Sequence, residues 1–193
     1  MIDGEDENLR FRLTRGCRFR FFMERKARNF AQKGLYFKRE LISRFKGIFR
    51  PISFAIPKEN VVSSLPTDKT RNLAFIKPGE LDTYIYKTEE AYYKGYQEAR
   101  FGLTFRKCGW DCMRHYEILA NGCVPYFPDI DKLPEDTMTF FPRGLIKHAK
   151  MIYESGEKMQ EQYTPLAEML LNYTRDYLTT RYMAQYLLDS TET

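Results

Sequence analysis

Between residues 72 and 153, short apolar runs alternate with stretches whose apolar residues recur at helical spacing. Few folds accept that pattern. Each helical stretch has one face to bury, and the short runs between read as inner strands of a parallel sheet covered on both sides. Asn72-Leu73-Ala74-Phe75-Ile76 is the first such strand, stopped by Lys77-Pro78-Gly79. Thr88 to Arg100 follows as a helix, with Thr88 as cap and Glu89 and Glu90 in the first turn, where the helix dipole favours acids. Phe101 to Phe105 is a second strand, and Arg106 to Trp110 a basic, glycine-containing loop. Asp111 is the expected N-cap of a helix over Cys112–Asn121, closed by Gly122. Cys123 to Phe127 is a third strand, Pro128 to Glu135 a loop, and Thr137 to Phe141 a further strand. A helix carries Leu145 to Tyr153, and residues 157–188 read as helical with an interruption near Pro165. The expected fold is α/β: a Rossmann-like parallel sheet with flanking helices.

The chain ahead of this pattern differs in kind. Residues 10–50 hold 14 Lys/Arg against Glu24 and Glu40, a local net charge of +12 in a chain whose total is +5. Basic and aromatic residues alternate there, as in Arg10-Phe11-Arg12 and Arg18-Phe19-Arg20-Phe21-Phe22. Such a segment could hold nucleic acid through phosphate contacts and stacking. The favoured reading is that it packs its Phe side and solvates its Arg side, as blocks of like charge usually do. Two domains are therefore expected: residues 1–50, a basic, aromatic-rich N-terminal segment, and residues 51–193, the α/β domain. Ile48 to Ile56, around Pro51, reads as an edge or connecting strand, and residues 58–71 as a loop.

No run of about 18 apolar residues is present, so no membrane span is expected. The first residues are acidic and lack an apolar stretch, so no secretory signal is expected in this chain. A cytoplasmic location is the default expectation, with the secretory pathway open if the chain is part of a longer protein. Cys17, Cys108, Cys112 and Cys123 form no C-x-x-C pair and read as free thiols of a reducing compartment.

In open parallel sheets ligands bind beyond the carboxyl ends of the strands. Two such ends lead into candidate loops: Ile76 into Lys77-Pro78-Gly79, and Phe105 into Arg106-Lys107-Cys108-Gly109-Trp110-Asp111. The second places two cations and a glycine before a helix N-terminus, where free N–H groups and the positive end of the dipole favour an anion such as phosphate. Arg114, in the first turns of that helix, could fork onto the same anion. Glu117 follows three residues later and could accept two hydrogen bonds from the vicinal hydroxyls of a ribose. Arg114 and Glu117 could also simply pair with each other. His115 reads as a structural histidine, and His148 carries little functional weight. Cys112 at a helix N-terminus is a minor candidate nucleophile, its pKa expected to fall there. Zinc on Cys108, Cys112 and His115 lacks a fourth ligand. Asp129, Asp131, Glu135 and Asp136 could hold a divalent ion with a nucleotide diphosphate, but read first as a solvated loop; no metal site is expected.

Phe101-Gly102-Leu103-Thr104 and the run Gly109-Trp110-Asp111-Cys112-Met113-Arg114-His115-Tyr116-Glu117-Ile118-Leu119-Ala120-Asn121-Gly122-Cys123-Val124-Pro125 resemble the donor-binding, C-terminal half of GT-B glycosyltransferases. They are most similar to exostosin-like enzymes, with a helix of the form R-x-x-E-x-x-x-x-G-C-[IV]-P. Leu133-Pro134 after the acidic loop also fits. The resemblance covers about residues 72–155, and more weakly Tyr36 to Glu40 and Pro51 to Pro57, which look like the stretch joining the two GT-B domains.

The resemblance implies a nucleotide-sugar donor site. The family's ribose-holding glutamate maps onto Glu117. Its cationic diphosphate contacts map onto Arg114 and onto Arg106 or Lys107. The implied donor site thus comprises Arg106, Lys107, Gly109, Asp111, Arg114 and Glu117, with no catalytic residue assigned and no cofactor or metal required. Retaining members of the wider class carry an acid eight positions before that glutamate. Gly109 stands there, and Asp111 is not its substitute, so the stereochemistry stays open.

Only about 70 residues precede the strand at Leu73, and they show no βαβ pattern, so the acceptor domain is read as absent or vestigial. Three explanations fit: a piece of a longer enzyme, a partner chain that supplies the acceptor half, or a fold kept for binding without catalysis. The expected function is glycosyl transfer from a nucleoside-diphosphate sugar to an unassigned glycan or protein acceptor. The alternative is a catalytically silent structural subunit that docks on nucleic acid or protein through residues 10–50.

Overall fold

The computed structural model describes residues 2–3, 29, 34–41, 47–156 and 161–192. The runs Arg10–Arg12 and Arg18–Phe22, Cys17 and the expected start of the last helical stretch at residue 157 lie outside them. Among the described residues, two small parallel sheets and five named α-helices make an α/β fold.

The first sheet joins β1 (Ile2–Asp3), β2 (Phe37–Lys38) and β3 (Arg50–Pro51) in that order. All pairs are parallel, with Phe37 opposite Arg50. The three strands are parallel, and among the described residues no named helix joins them, so the expectation of no βαβ pattern ahead of Leu73 is not overturned. Two-residue strands leave too short a period to read from sequence. The expected boundary between residues 50 and 51 falls inside β3. Of the strand expected over Ile48–Ile56, only Arg50–Pro51 pairs in the sheet. Pro51 offers no N–H to a ladder, and β3 is the edge strand.

The second sheet is built from β4 (Arg71–Leu73), β5 (Ala99–Leu103) and β6 (Val124–Tyr126), parallel and in chain order. Helix α1 (Glu89–Gln97) joins β4 to β5, and α2 (Met113–Ala120) joins β5 to β6. Thr88 caps α1 by accepting the Ala91 N–H at 3.2 Å. The helix ends three residues earlier than expected because β5 already begins at the fully buried Ala99. At the end of α2, Gly122 adopts φ +60. Gly122 N–H donates to Leu119 O and Cys123 N–H to Ile118 O, both at 3.1 Å, which satisfies the last carbonyls.

Side chains alternate across β5. Phe101 packs edge-on against Tyr153 (centroids 5.1 Å) and Tyr163 (5.3 Å). The next residue, Gly102, lies under Ile118, where a Cβ would come within 3.0 Å of its carbons. Helices therefore cover both faces of the central strand. Burying a ring such as Phe101 contributes about 1.5–3 kcal/mol.

Helix α3 (Arg143–Glu154) follows β6, and α4 (Tyr163–Tyr177) packs on α2 and α3. Two expectations are corrected here. Thr137–Phe141 is a bent segment with Met138 at φ 53, not a strand. The Arg143 guanidinium gathers the carbonyls of Leu133, Pro134, Glu135 and Thr137 at 2.6–3.3 Å, and this wraps the chain around one cation. Pro165 does not interrupt a helix: it lies in the first turn of α4, where its missing N–H would have no partner anyway. The break comes at Leu178–Thr179. There Ile56 N–H donates to Leu178 O at 3.0 Å and Thr180 N–H to Ile56 O at 2.9 Å. Thr179 then caps α5 (Thr180–Thr191), whose Tyr186 donates to Pro51 O at 2.9 Å and packs against Phe37. The last helix thus rests on the first sheet.

Candidate functional site

The carboxyl ends of the two sheets converge. Strand β2 runs into Arg39, Glu40 and Leu41, and β3 into Ile52, Ser53 and Phe54. Of these, Arg39, Glu40 and Phe54 meet the loop that follows β5. Glu40 Oε1 accepts the backbone N–H groups of Trp110 (2.5 Å) and Asp111 (2.9 Å). Arg39 Nη1 donates to the Asp111 carbonyl at 3.4 Å, and its guanidinium lies 3.9 Å from the centroid of Phe54. Asp111 Oδ2 accepts the Phe54 N–H at 2.8 Å, and Oδ1 accepts the Tyr116 hydroxyl at 2.7 Å. Burial raises Glu40 above the usual carboxylate range. Burial also pushes Asp111 up to about 6, against the pull of Tyr116 and Phe54.

These bonds correct one expected role. Both oxygens of Asp111 are committed to the junction, so the N-cap position of α2 falls to Cys112, which makes no side-chain cap bond. In the loop before the helix N-terminus, where an anion such as phosphate was expected, the N–H groups of Trp110 and Asp111 hold Glu40.

The other expected site residues divide into two groups. Arg106 stays with the junction: it is half-buried, and its guanidinium carbon is 5.2 Å from the Trp110 ring centroid. Lys107 is exposed beside it and Gly109 is half-buried. Arg114 and Glu117, both half-buried, face a wall of tyrosines. Arg114 Nη2 donates to the Tyr84 hydroxyl at 3.1 Å. The Tyr92 hydroxyl donates to Glu117 Oε2 at 2.7 Å, and the Tyr96 hydroxyl lies 3.4 Å from that of Tyr92. Burial and the neighbouring Tyr96 hold the Tyr92 phenol far above its ordinary value, so it remains a donor. Among the described residues Arg114 and Glu117 form no ion pair with each other. The Nε atoms of Arg106 and Arg114 are buried without a hydrogen-bond partner.

The loop after β4 reaches the same place. Thr83 Oγ1 accepts the Lys77 N–H at 3.0 Å and lies 2.7 Å from the Glu80 carbonyl, closing the turn that carries Tyr84 to Arg114. Tyr86 lies across α1 at Gly95, where a Cβ would meet its hydroxyl at 2.3 Å.

His115 is fully buried and stacked on Phe127. Its Nε2 is 2.7 Å from the Trp110 carbonyl and its Nδ1 is 2.8 Å from Thr104 Oγ1. A carbonyl only accepts, so Nε2 carries the proton and Nδ1 accepts from the threonine. Burial pulls the ring down to about 4. His115 is a neutral structural group that fixes the loop. Cys112 does not become a low-pKa thiol: burial raises it, and Arg114 only partly opposes that. His148 bonds Gln162 at the surface. In the acidic loop, Asp131 pairs with Lys147 (3.3 Å) and Lys150 (2.7 Å). Among the described residues no three His, Cys, Asp or Glu groups are placed to share a metal ion, and no helix is long and apolar enough to cross a membrane.

Sequence reasoning did not single out Glu40, Phe54, Tyr84 or Tyr92. Only Glu40 left a signal, as one of two acids among 14 cations.

Comparison with known proteins finds no matching family model, no matching curated protein and no matching solved structure.

Proposed function

We propose that this chain is a GT-B-like, Rossmann-type nucleotide-sugar-binding domain that serves glycosyl transfer, with the donor lying over α2 beyond the carboxyl end of β5. The observation that carries the proposal is the state of Arg114 and Glu117. One turn apart on α2, they do not neutralise each other, and each is oriented by a tyrosine hydroxyl while keeping further polar atoms for a ligand. Glu117 then accepts from the ribose hydroxyls. Arg114, with Arg106 and Lys107, opposes the charge that grows on the diphosphate as the bond from the sugar carbon to the phosphate oxygen breaks and a bond to the acceptor oxygen forms, the acceptor hydroxyl's proton passing to the departing diphosphate or to solvent. The Nε–H groups of Arg106 and Arg114, buried without a partner, leave both guanidinium groups with unused donor capacity.

The test is thermal unfolding against UDP, GDP, ADP and CMP, with Glu117→Ala as control. A ligand at 100 times its dissociation constant adds about 2.7 kcal/mol. That corresponds to a midpoint shift of roughly 5–10 °C for a chain of this size. One nucleotide is expected to shift the native chain and not the variant. No shift with any of them removes the proposal.

A second reading is favoured by Glu40, which occupies the loop N–H groups: a glycosyltransferase-like structural subunit without catalysis, docked through residues 10–50. It predicts no nucleotide shift, together with salt-dependent nucleic-acid or protein binding that is lost when residues 10–50 are deleted.

A further inference from the structure

We infer that Glu40 is an internal anion of the candidate site: a carboxylate from the end of β2 fills the place a phosphate would take on the β5–α2 loop, and its charge sets how tightly the surrounding cations hold a diphosphate. The inference rests on the nucleotide-binding reading above for its ligand, and adds how that site is regulated.

Three observations carry it. First, a single oxygen of Glu40 accepts both loop N–H groups, Trp110 and Asp111, which is the arrangement backbone nests use for phosphate oxygens. Second, Glu40 is fully buried, so a ligand cannot use those N–H groups without expelling a carboxylate from the junction of the two sheets. Third, Arg39 and Arg106 both lie within electrostatic reach of Glu40, and Arg106 stacks on Trp110, the residue whose N–H Glu40 holds. The carboxylate and the cation therefore share one loop residue. Part of the field of Arg106 is spent on Glu40 before a ligand arrives. A diphosphate must then bind through arginine side chains and against the repulsion of a buried negative charge. The residue responsible comes from the first sheet, so the packing of that sheet governs affinity at the second.

The experiment titrates the native chain and Glu40→Gln with UDP, GDP, ADP, pyrophosphate and the matching free nucleosides at low salt. Glutamine keeps an Oε1 acceptor for both N–H groups and removes the charge. The diphosphate that binds the native chain is expected to bind the variant tighter, by on the order of 3–10-fold. The gain should shrink at ~0.5 M salt, and the nucleoside should show none. Equal or weaker diphosphate binding to the variant overturns the inference while leaving the nucleotide site standing. If no nucleotide binds either protein, the proposed function falls and pyrophosphate decides alone: tighter binding to the variant keeps the inference, and none to either protein overturns it. Should Glu40→Gln fail to fold, amide spectra of the native chain replace it. Trp110 and Asp111 amides that stay in place at saturating diphosphate or pyrophosphate support an undisplaced Glu40, and large shifts of both overturn it.

Discussion

The hydroxyl of Tyr92 on α1 donates to Oε2 of Glu117 on α2 at 2.7 Å, so the acid expected to hold a ribose is already oriented by its neighbouring helix. A carboxylate has lone pairs for further donors, and this bond leaves Oε1 and the rest of Oε2 open. Glu117→Ala is expected to weaken nucleotide binding by about 1–3 kcal/mol, the usual size for a lost charged hydrogen bond. Tyr92→Phe should retain nucleotide binding while lowering stability by about 0.5–1.5 kcal/mol. Calorimetric titration of both variants checks this, and equal binding losses would mean that the tyrosine and not the acid makes the site.

The junction between the sheets carries opposed pH dependences. Burial lowers His115 to about 4 from an ordinary 6.5. The unfolded chain then binds more protons between those values, so this contribution is complete above 6.5 and is lost as pH falls. Burial raises Asp111 from 3.8 to about 6. Here the native chain binds more protons, so the contribution is complete below 3.8 and is lost as pH rises through 6. Glu40, also raised by burial, adds to that second sign. Each of the two valued shifts is on the order of 3 kcal/mol. Relative to the native chain, Asp111→Asn should therefore gain stability as pH rises from about 4 to 6. Urea midpoints of both chains at the two ends of that window measure it; a difference that stays constant with pH would falsify the assignment.

Gly122 ends α2 at φ +60, and a Cβ there would stand 2.6 Å from Pro66 Cδ. Gly122→Ala combines a left-handed backbone with a clash against a rigid ring, and is expected to cost about 1–3 kcal/mol. Chemical denaturation reads the loss directly.

The helix break expected near Pro165 lies at Leu178–Thr179 instead. Pro165→Ala, in a first turn, should change stability by less than about 1 kcal/mol. Thr179→Ala removes the cap on the Tyr182 N–H and should cost about 1 kcal/mol. If the proline variant proves the more damaging of the two, the placement of the helix break is wrong.

Local chemistry made much of this chain legible. Thr88 and Gly122 announce helix ends because a cap and a left-handed turn depend only on a few neighbouring atoms. The alternation from Leu73 to Tyr153 announces a parallel α/β arrangement because strand and helix periods are written in single side chains. What escaped was every contact that spans distance in the chain. Glu40 meets Trp110 and Asp111 some 70 residues away, Tyr92 meets Glu117 across two helices, and Ile56 breaks a helix at Leu178. No local pattern encodes such partners. Sequence by itself therefore determined that α2 carries Arg114 and Glu117 one turn apart. Only the tertiary structure decided what each would face, because a buried carboxylate or N–H must take whichever partner the packing of the two sheets brings to it.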